Sequence, residues 1–274
     1  MILPPGFPRD VEAFACDLDR TILPENGLLS ERTVAAVGAA QAADVRVVVV
    51  TGRMFRSVRP YLEQLGLDGP VVCYQGAVVA EPGGRFLRHE PIAVELARET
   101  IAAVVAEGYG PNCYVDDELY VASVTAHSRA YAEFQHIPVH EVGDLEAWLD
   151  KPPTKLVCVG DPIELDGLEA RMKARFDGRL FISKSLPHFL EFASPDVTKG
   201  TGLRFAAEHV GFSTERTVAF GDGENDVELL QCAGYAVAVA NAHARVLETA
   251  DFVCPRDSDD GVAQVIEAYL DSRA

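Results

Sequence analysis

The stretch VRVVVVT at 45–51 sets four valines in a row with no polar residue between them. A strand with one wet face alternates apolar and polar residues, so an unbroken apolar run reads as a strand covered on both faces, as in a parallel sheet. Val11 to Cys16 reads the same way, and a helical pattern from Glu31 to Gln41 lies between the two. A second helix over 55–65 leads to PVVCYQ at 70–75, a third strand, and the winding is βαβαβ. This predicts an α/β fold built on a doubly wound, mostly parallel sheet.

The character changes after Ala80. EPGGRF at 81–86 reads as a hairpin connection, and the region beyond it mixes elements. A helix near Val94 to Glu107 precedes strand pieces around Cys113 and Leu119, separated by DDE. A helix near His127 to Gln135, the strand TKLVCVG at 154–160, a helix to Arg175 and strands near Leu180 and Phe189 follow. The βαβ pattern resumes after Lys199, with a helix to His209, TVAFGD at 217–222, a helix to Cys232, YAVAVA at 235–240 and DFVC at 251–254. The expected organisation is a core over 1–81 and 191–274, interrupted by an inserted α+β region over 82–190.

With 274 residues, 48% of them hydrophobic, the chain has ample material for a large core. No apolar run approaches the roughly 20 residues of a membrane span, and MILPPGFPRD at the start is too short and proline-broken for a signal peptide. The expectation is a cytoplasmic protein that makes no membrane contact. Six cysteines lack CxxC spacing and several lie in apolar strands, which points to reduced, buried thiols rather than a zinc site. The net charge of −18 opposes nonspecific binding to nucleic acid. An anionic small molecule is still admissible where local cations receive it.

In open α/β sheets ligands bind beyond the carboxyl ends of the strands. Four polar segments stand there: DLDRT (17–21), TGR (51–53), SPDVTKG (194–200) and GDGEND (221–226). Residues i and i+2 of an extended chain point the same way, so Asp17 and Asp19 form a carboxylate pair that needs a cation or a shared proton. Taken alone, the pair is equally an Asp-rich turn. Asp222 and Asp226 straddle a helix start, where capping is the competing role. Two acidic clusters at one sheet edge suggest a hard divalent cation held by oxygen, most plausibly magnesium. Lys199 falls in the first turn of a helix, where the dipole disfavours a cation, and such a broken rule often marks function. Thr51 and Gly52 offer a hydroxyl and an open backbone N–H for an oxyanion, although a plain strand-to-helix turn would use the same residues. Together the segments supply acids for a metal, donors for phosphate oxygens and a lysine for residual charge, which fits phosphoryl transfer.

In that order, DLDRT, TGR, Lys199 and GDGENDVELL resemble the four motifs of the haloacid dehalogenase superfamily of phosphatases. AVAVANAHARVLETADFV (236–253) and SDDGVAQVI (258–266) resemble the C-terminal stretch of its Cof-like branch, which carries an α/β cap between the second and third motifs. The resemblance implies Asp17 as nucleophile, forming an aspartyl-phosphate, with Asp19 as general acid and base. It implies magnesium held by the Asp17 carboxylate, the Asp19 carbonyl and Asp222, supported by Asp226. Phosphate oxygens would meet Thr51, Gly52, Lys199 and Asn225, and Arg53 would be structural. Two positions depart from the pattern: Arg20 stands where glycine is usual, and YQGA (74–77) replaces an asparagine-containing turn, leaving the role of Gln75 open.

The expected activity is hydrolysis of a small phosphorylated metabolite, a sugar phosphate or a cofactor precursor, with specificity in the 82–190 region. Lys184 and His188 stand close before the return to the core and are the candidates there, against ordinary surface roles. A phosphosugar mutase of the same fold and a non-catalytic phosphoacceptor or metabolite-binding module are the alternatives.

Overall fold

The computed structural model describes residues 1–273. The chain opens with β1 (Ala13–Cys16), α1 (Glu31–Ala42), β2 (Arg46–Val49), α2 (Phe55–Leu65), β3 (Val71–Cys73), β4 (Val78–Ala80) and β5 (Phe86–His89). The middle region contains α3 (Val94–Ala106), β6 (Asn112–Val115), β7 (Glu118–Val121), α4 (Ala126–Gln135), β8 (Val139–Glu141), α5 (Leu145–Trp148), β9 (Lys155–Val159), α6 (Pro162–Phe176), β10 (Phe181–Leu186) and β11 (Phe189–Ala193). The last part is α7 (Lys199–Val210), β12 (Thr217–Gly221), α8 (Val227–Cys232), β13 (Tyr235–Val239), α9 (Ala244–Thr249), β14 (Phe252–Cys254) and α10 (Gly261–Asp271).

Two compact units divide the chain. The first comprises Met1–Gly52, Val58–Arg88 and the chain from Thr198 onward, and it includes the 81–86 hairpin. The second comprises Arg53–Ser57 and His89–Val197.

In the first unit a five-stranded sheet runs in the order β14-β13-β12-β1-β2, and its pairings are all parallel. Every residue of β1 and β12 is buried, as expected of central strands covered on both faces. Successive side chains of β1 serve opposite faces. Ala13 and Ala15 join Leu203 and Ala206 of α7, Leu229 and Leu230 of α8 and Val246 of α9 in one apolar cluster. Phe14 points the other way, with its ring 5.6 Å from that of Tyr269 on α10, which in turn packs against α1. Beyond β2 a single parallel bridge, Val50 to Val72, leads to the small sheet β3-β4-β5, in which β3 and β4 run antiparallel. The expected strand at 70–75 ends early. After Cys73 the chain enters a tight turn in which Tyr74 and Gln75 both adopt left-handed backbone, at φ 52° and 59°.

The second unit is a six-stranded sheet, β10-β11-β9-β6-β7-β8. Leu156 and Cys158 of β9 face Leu165, Leu168 and Met172 of α6 and Ile101 and Val104 of α3 in its own apolar core. Two elements carry no sequence signal. β8 is Val-His-Glu, nearly all exposed, and α5 is a single turn capped by Asp144.

Candidate active site

β1 sits where the strand order reverses, with β2 on one side and β12 on the other. The two strands end side by side, and the Asp17 amide donates to the Phe220 carbonyl at 3.0 Å. Asp17 and Asp222 therefore emerge together from the carboxyl ends of adjacent parallel strands, the position at which this architecture binds ligands.

Lys199 is the first residue of α7, and Thr198 before it and Thr201 after it cap the helix start reciprocally. The helix start is brought close by two glycines: a Cβ on Gly76, whose φ is +104°, would lie 2.0 Å from the Thr198 carbonyl oxygen, and one on Gly202 would lie 2.8 Å from the Gly76 Cα. Lys199 is 1% exposed, and its Nζ donates to Asp17 Oδ1 at 2.6 Å and to Asp226 Oδ1 at 2.5 Å. The dipole penalty at a helix start is thus met by two carboxylates.

Asp226 combines the capping role and the charged one. Its Oδ2 accepts the Asp222 and Gly223 amides at 3.0 and 2.9 Å, while Oδ1 faces Lys199. Asp222 accepts the Thr21 hydroxyl at 3.2 Å through Oδ1. Arg20 adopts left-handed backbone at φ 60°, held by its N–H to the Leu23 carbonyl and by Asn241 Nδ2 donating to its own carbonyl. Its position is one that glycine would occupy without strain. Its side chain is not simply solvent-facing, since Nε lies 3.8 Å from Asp222 Oδ2 and 3.6 Å from Glu25. Thr21 closes DLDRT and Asn241 directly follows YAVAVA, but the sequence assigned neither a role, because each acts on a partner distant in the chain.

The electrostatics bear on the cation question. Burial raises the Asp17 carboxyl well above the usual range, and the neighbouring Asp226 raises it further, against the opposing pull of Lys199. Asp222 is pushed up to about 7 by burial and then by Asp226. Burial alone would lower the Lys199 ammonium, but Asp17 and Asp226 outweigh it and its net shift is upward. An ordinarily ionised Asp17 is therefore not what the enclosed site provides by itself. Asp17, Asp222 and Asp226 each offer a carboxylate oxygen, all within 4.8 Å of one another, against Lys199 and the Arg20 guanidinium beside Asp222. An all-oxygen donor set with excess negative charge fits a hard divalent cation.

Around this cluster stand the remaining expected residues. Asp19, half-buried, is close enough for its charge to add to the upward pull on Asp17. Thr51 is fully buried; its N–H donates to the Val72 carbonyl and its own carbonyl accepts from the Gln75 N–H. Gln75, 3% exposed, lies over Gly52, where a Cβ would meet its Nε2 at 2.4 Å, and its Oε1 accepts from Asn225 Nδ2 at 2.9 Å. Thr51, Gly52 and Asn225 are thus linked through one residue whose role the sequence left open.

Within the second unit, Arg53 is buried, with its guanidinium 5.3 Å from the Phe134 ring centre and Nη1 on Ser57. Lys184 pairs with Asp166, and His188 Nδ1 lies 3.2 Å from the Gly160 carbonyl. A buried ion pair, Lys155 with Glu191, is joined by the Ser185 hydroxyl. Among the described residues all six cysteines are free thiols, and no helix is long and apolar enough to cross a membrane.

The family model for haloacid dehalogenase-like hydrolases matches residues 14–266, and the chain belongs to that family. Among relatives, 5-amino-6-(5-phospho-D-ribitylamino)uracil phosphatase YitU of Bacillus subtilis is 26% identical, over 93% of this chain and 96% of its own. The pyridoxal phosphate phosphatase YbhA of Escherichia coli is 27% identical, over 93% and 97%. A crystal structure from Thermotoga maritima superposes with a TM-score of 0.81 at 30% identity, covering 94% of this chain and 97% of that one.

Proposed function

We propose that this chain is a magnesium-dependent phosphomonoesterase acting on a small phosphorylated metabolite, a sugar phosphate or a cofactor precursor. The observation that carries the reading is the buried Asp17–Lys199–Asp226 arrangement beside Asp222 at the strand ends. The relatives named for a phosphoribitylaminouracil and for pyridoxal phosphate support a small phosphate ester as substrate.

Asp17 Oδ attacks phosphorus, and the bond to the ester oxygen breaks as that oxygen takes a proton from Asp19. Asp19, now ionised, accepts a proton from water, whose oxygen attacks the phosphorus of the aspartyl-phosphate and releases inorganic phosphate with Asp17 restored. Attack by an anion on an anion is opposed by Coulomb repulsion, and Lys199 lowers it from within the site. Asp17, Asp222 and Asp226, with the Asp19 carbonyl, would hold magnesium, which when bound supplies further positive charge to the phosphate oxygens. Thr51, Gly52 and Asn225 orient those oxygens. The middle unit, in the place of this branch's cap, is the region that would distinguish one phosphate ester from another.

The test is phosphate release from a metabolite panel with and without magnesium and without added bisphosphate. Asp17→Asn should abolish turnover, because an amide can neither attack nor carry the intermediate. Near-normal release by that variant would remove Asp17 from the mechanism, and an absolute need for bisphosphate would favour the mutase reading.

A further inference from the structure

We infer that Gln75 is a positioning residue for phosphate, fixing which way the Asn225 amide faces; the inference rests on the proposed role of Asn225. A carboxamide can turn over and exchange its donor and acceptor ends, and only a neighbour decides which end points where. Gln75 Oε1 can only accept, and it lies 2.9 Å from Asn225 Nδ2. With the Gln75 carboxamide as it stands, turning Asn225 alone would set two carbonyl oxygens against each other, an arrangement that two acceptors oppose. One N–H of Asn225 is engaged by Gln75 and the second is left to donate to an oxyanion. In the opposite orientation the Asn225 carbonyl would take its place and repel phosphate.

The backbone of Gln75 is itself held. Its backbone N–H donates to the Thr51 carbonyl at 3.1 Å, and its side-chain amide rests on Gly52, the only residue type that leaves room for it. The turn that delivers it places two consecutive non-glycine residues, Tyr74 and Gln75, in left-handed backbone. Such conformations are costly and tend to persist where the geometry has a use. Gln75 therefore connects the loop after β2 to the 223–226 turn, two segments distant in sequence that must present donors to one phosphate.

The experiment uses the full chain with saturating magnesium and inorganic phosphate as the probe, inhibiting hydrolysis of p-nitrophenyl phosphate. Gln75→Gly removes the amide and suits the left-handed backbone, and a thermal unfolding midpoint is recorded alongside to show that the variant folds. Its phosphate inhibition constant should rise roughly fivefold, the size of one net hydrogen bond, with KM rising in parallel and kcat within about twofold. In an Asn225→Ala background the same change should add less than about twofold, because the amide it orients is gone. Gln75→Leu, which keeps bulk over Gly52 without the acceptor, should behave as the glycine variant does. The inference is overturned if Asn225→Ala weakens phosphate while both Gln75 variants leave it unchanged, or if the two effects simply multiply. An Asn225→Ala variant with unaltered phosphate inhibition would instead remove Asn225 from phosphate binding, which is failure of the parent reading and distinguishable from the other two results.

Discussion

Replacing Lys199 by methionine keeps the stem and removes the ammonium from between two carboxylates. Asp17 and Asp226 would then face each other at 5% and 0% exposure with no lysine between them. Removing one partner of a buried ion pair costs about 3–5 kcal/mol, because the remaining charge is stranded in a low dielectric. With a urea slope of roughly 2–3 kcal/mol/M the unfolding midpoint of the first unit should fall by about 1–2 M. The sole tryptophan, Trp148, belongs to the second unit, so its fluorescence would report the other half of the molecule. Hydrogen exchange of amides in β1 and β12, followed against urea in metal-free protein, measures the right transition. The defect should grow as pH rises above the ordinary carboxylate range. Without Lys199 the folded-state pKa of Asp17 moves further up, and a carboxyl raised on folding stabilises at low pH and loses that contribution as pH rises. Asp226→Asn on the Lys199→Met background should recover part of the loss by removing one stranded charge. An unchanged midpoint in the metal-free single variant would refute the reasoning, since it would mean that the lysine carries no net electrostatic burden.

Two further outcomes concern the cation. Asp222 moves from 3.8 to about 7 on folding, so its contribution to stability is complete below about 3.8 and is lost as pH rises through about 7. Magnesium bound at Asp222 would have to displace that proton, so the rise in unfolding temperature on adding magnesium should be small at pH 5.5 and grow through pH 7, read by calorimetry at matched ionic strength; a constant rise would count against Asp222 as a ligand. Arg20→Gly removes a guanidinium 3.8 Å from Asp222 and relieves the left-handed backbone, so manganese binding followed by electron paramagnetic resonance at pH 8 should tighten roughly two- to fivefold. Weaker binding would show that Arg20 supports the site instead of competing with the metal for it.

The residues legible in the sequence were those whose local setting breaks or repeats a simple pattern. Apolar runs gave the central strands away, because burial on both faces leaves no polar position in β1 and only Thr217 at the start of β12. Lys199 was legible as a cation at a helix start. The residues that tie the site together were not, because their meaning comes from partners distant in the chain. Gln75 gains its role from Asn225, 150 positions on, and from the absence of a side chain on Gly52. Asn241 supports Arg20 from a segment 221 positions later. Asp226 read as either a cap or a ligand, and the structure has it capping with one oxygen while the other faces Lys199. In the second unit β8 and α5 escaped notice, since an exposed Val-His-Glu and a single helical turn carry too little periodicity to mark an element.

The pairing of β1 with β12 also sets an order of events during synthesis. Ala13 lies beside Thr217, so the central strand waits for a neighbour made about 200 residues later, roughly 10–40 s at ordinary elongation rates. In that interval residues 89–197 leave the ribosome as a contiguous stretch that holds nearly all of the second unit, and they can fold while the first unit is still half-made. β1 and β2 meanwhile have each other but present a bare apolar edge on the side where β12 belongs. The nascent chain is thus most exposed to wrong partners before Lys199 and β12 emerge, and the acids of DLDRT reach their counter-charge only in the last third of translation.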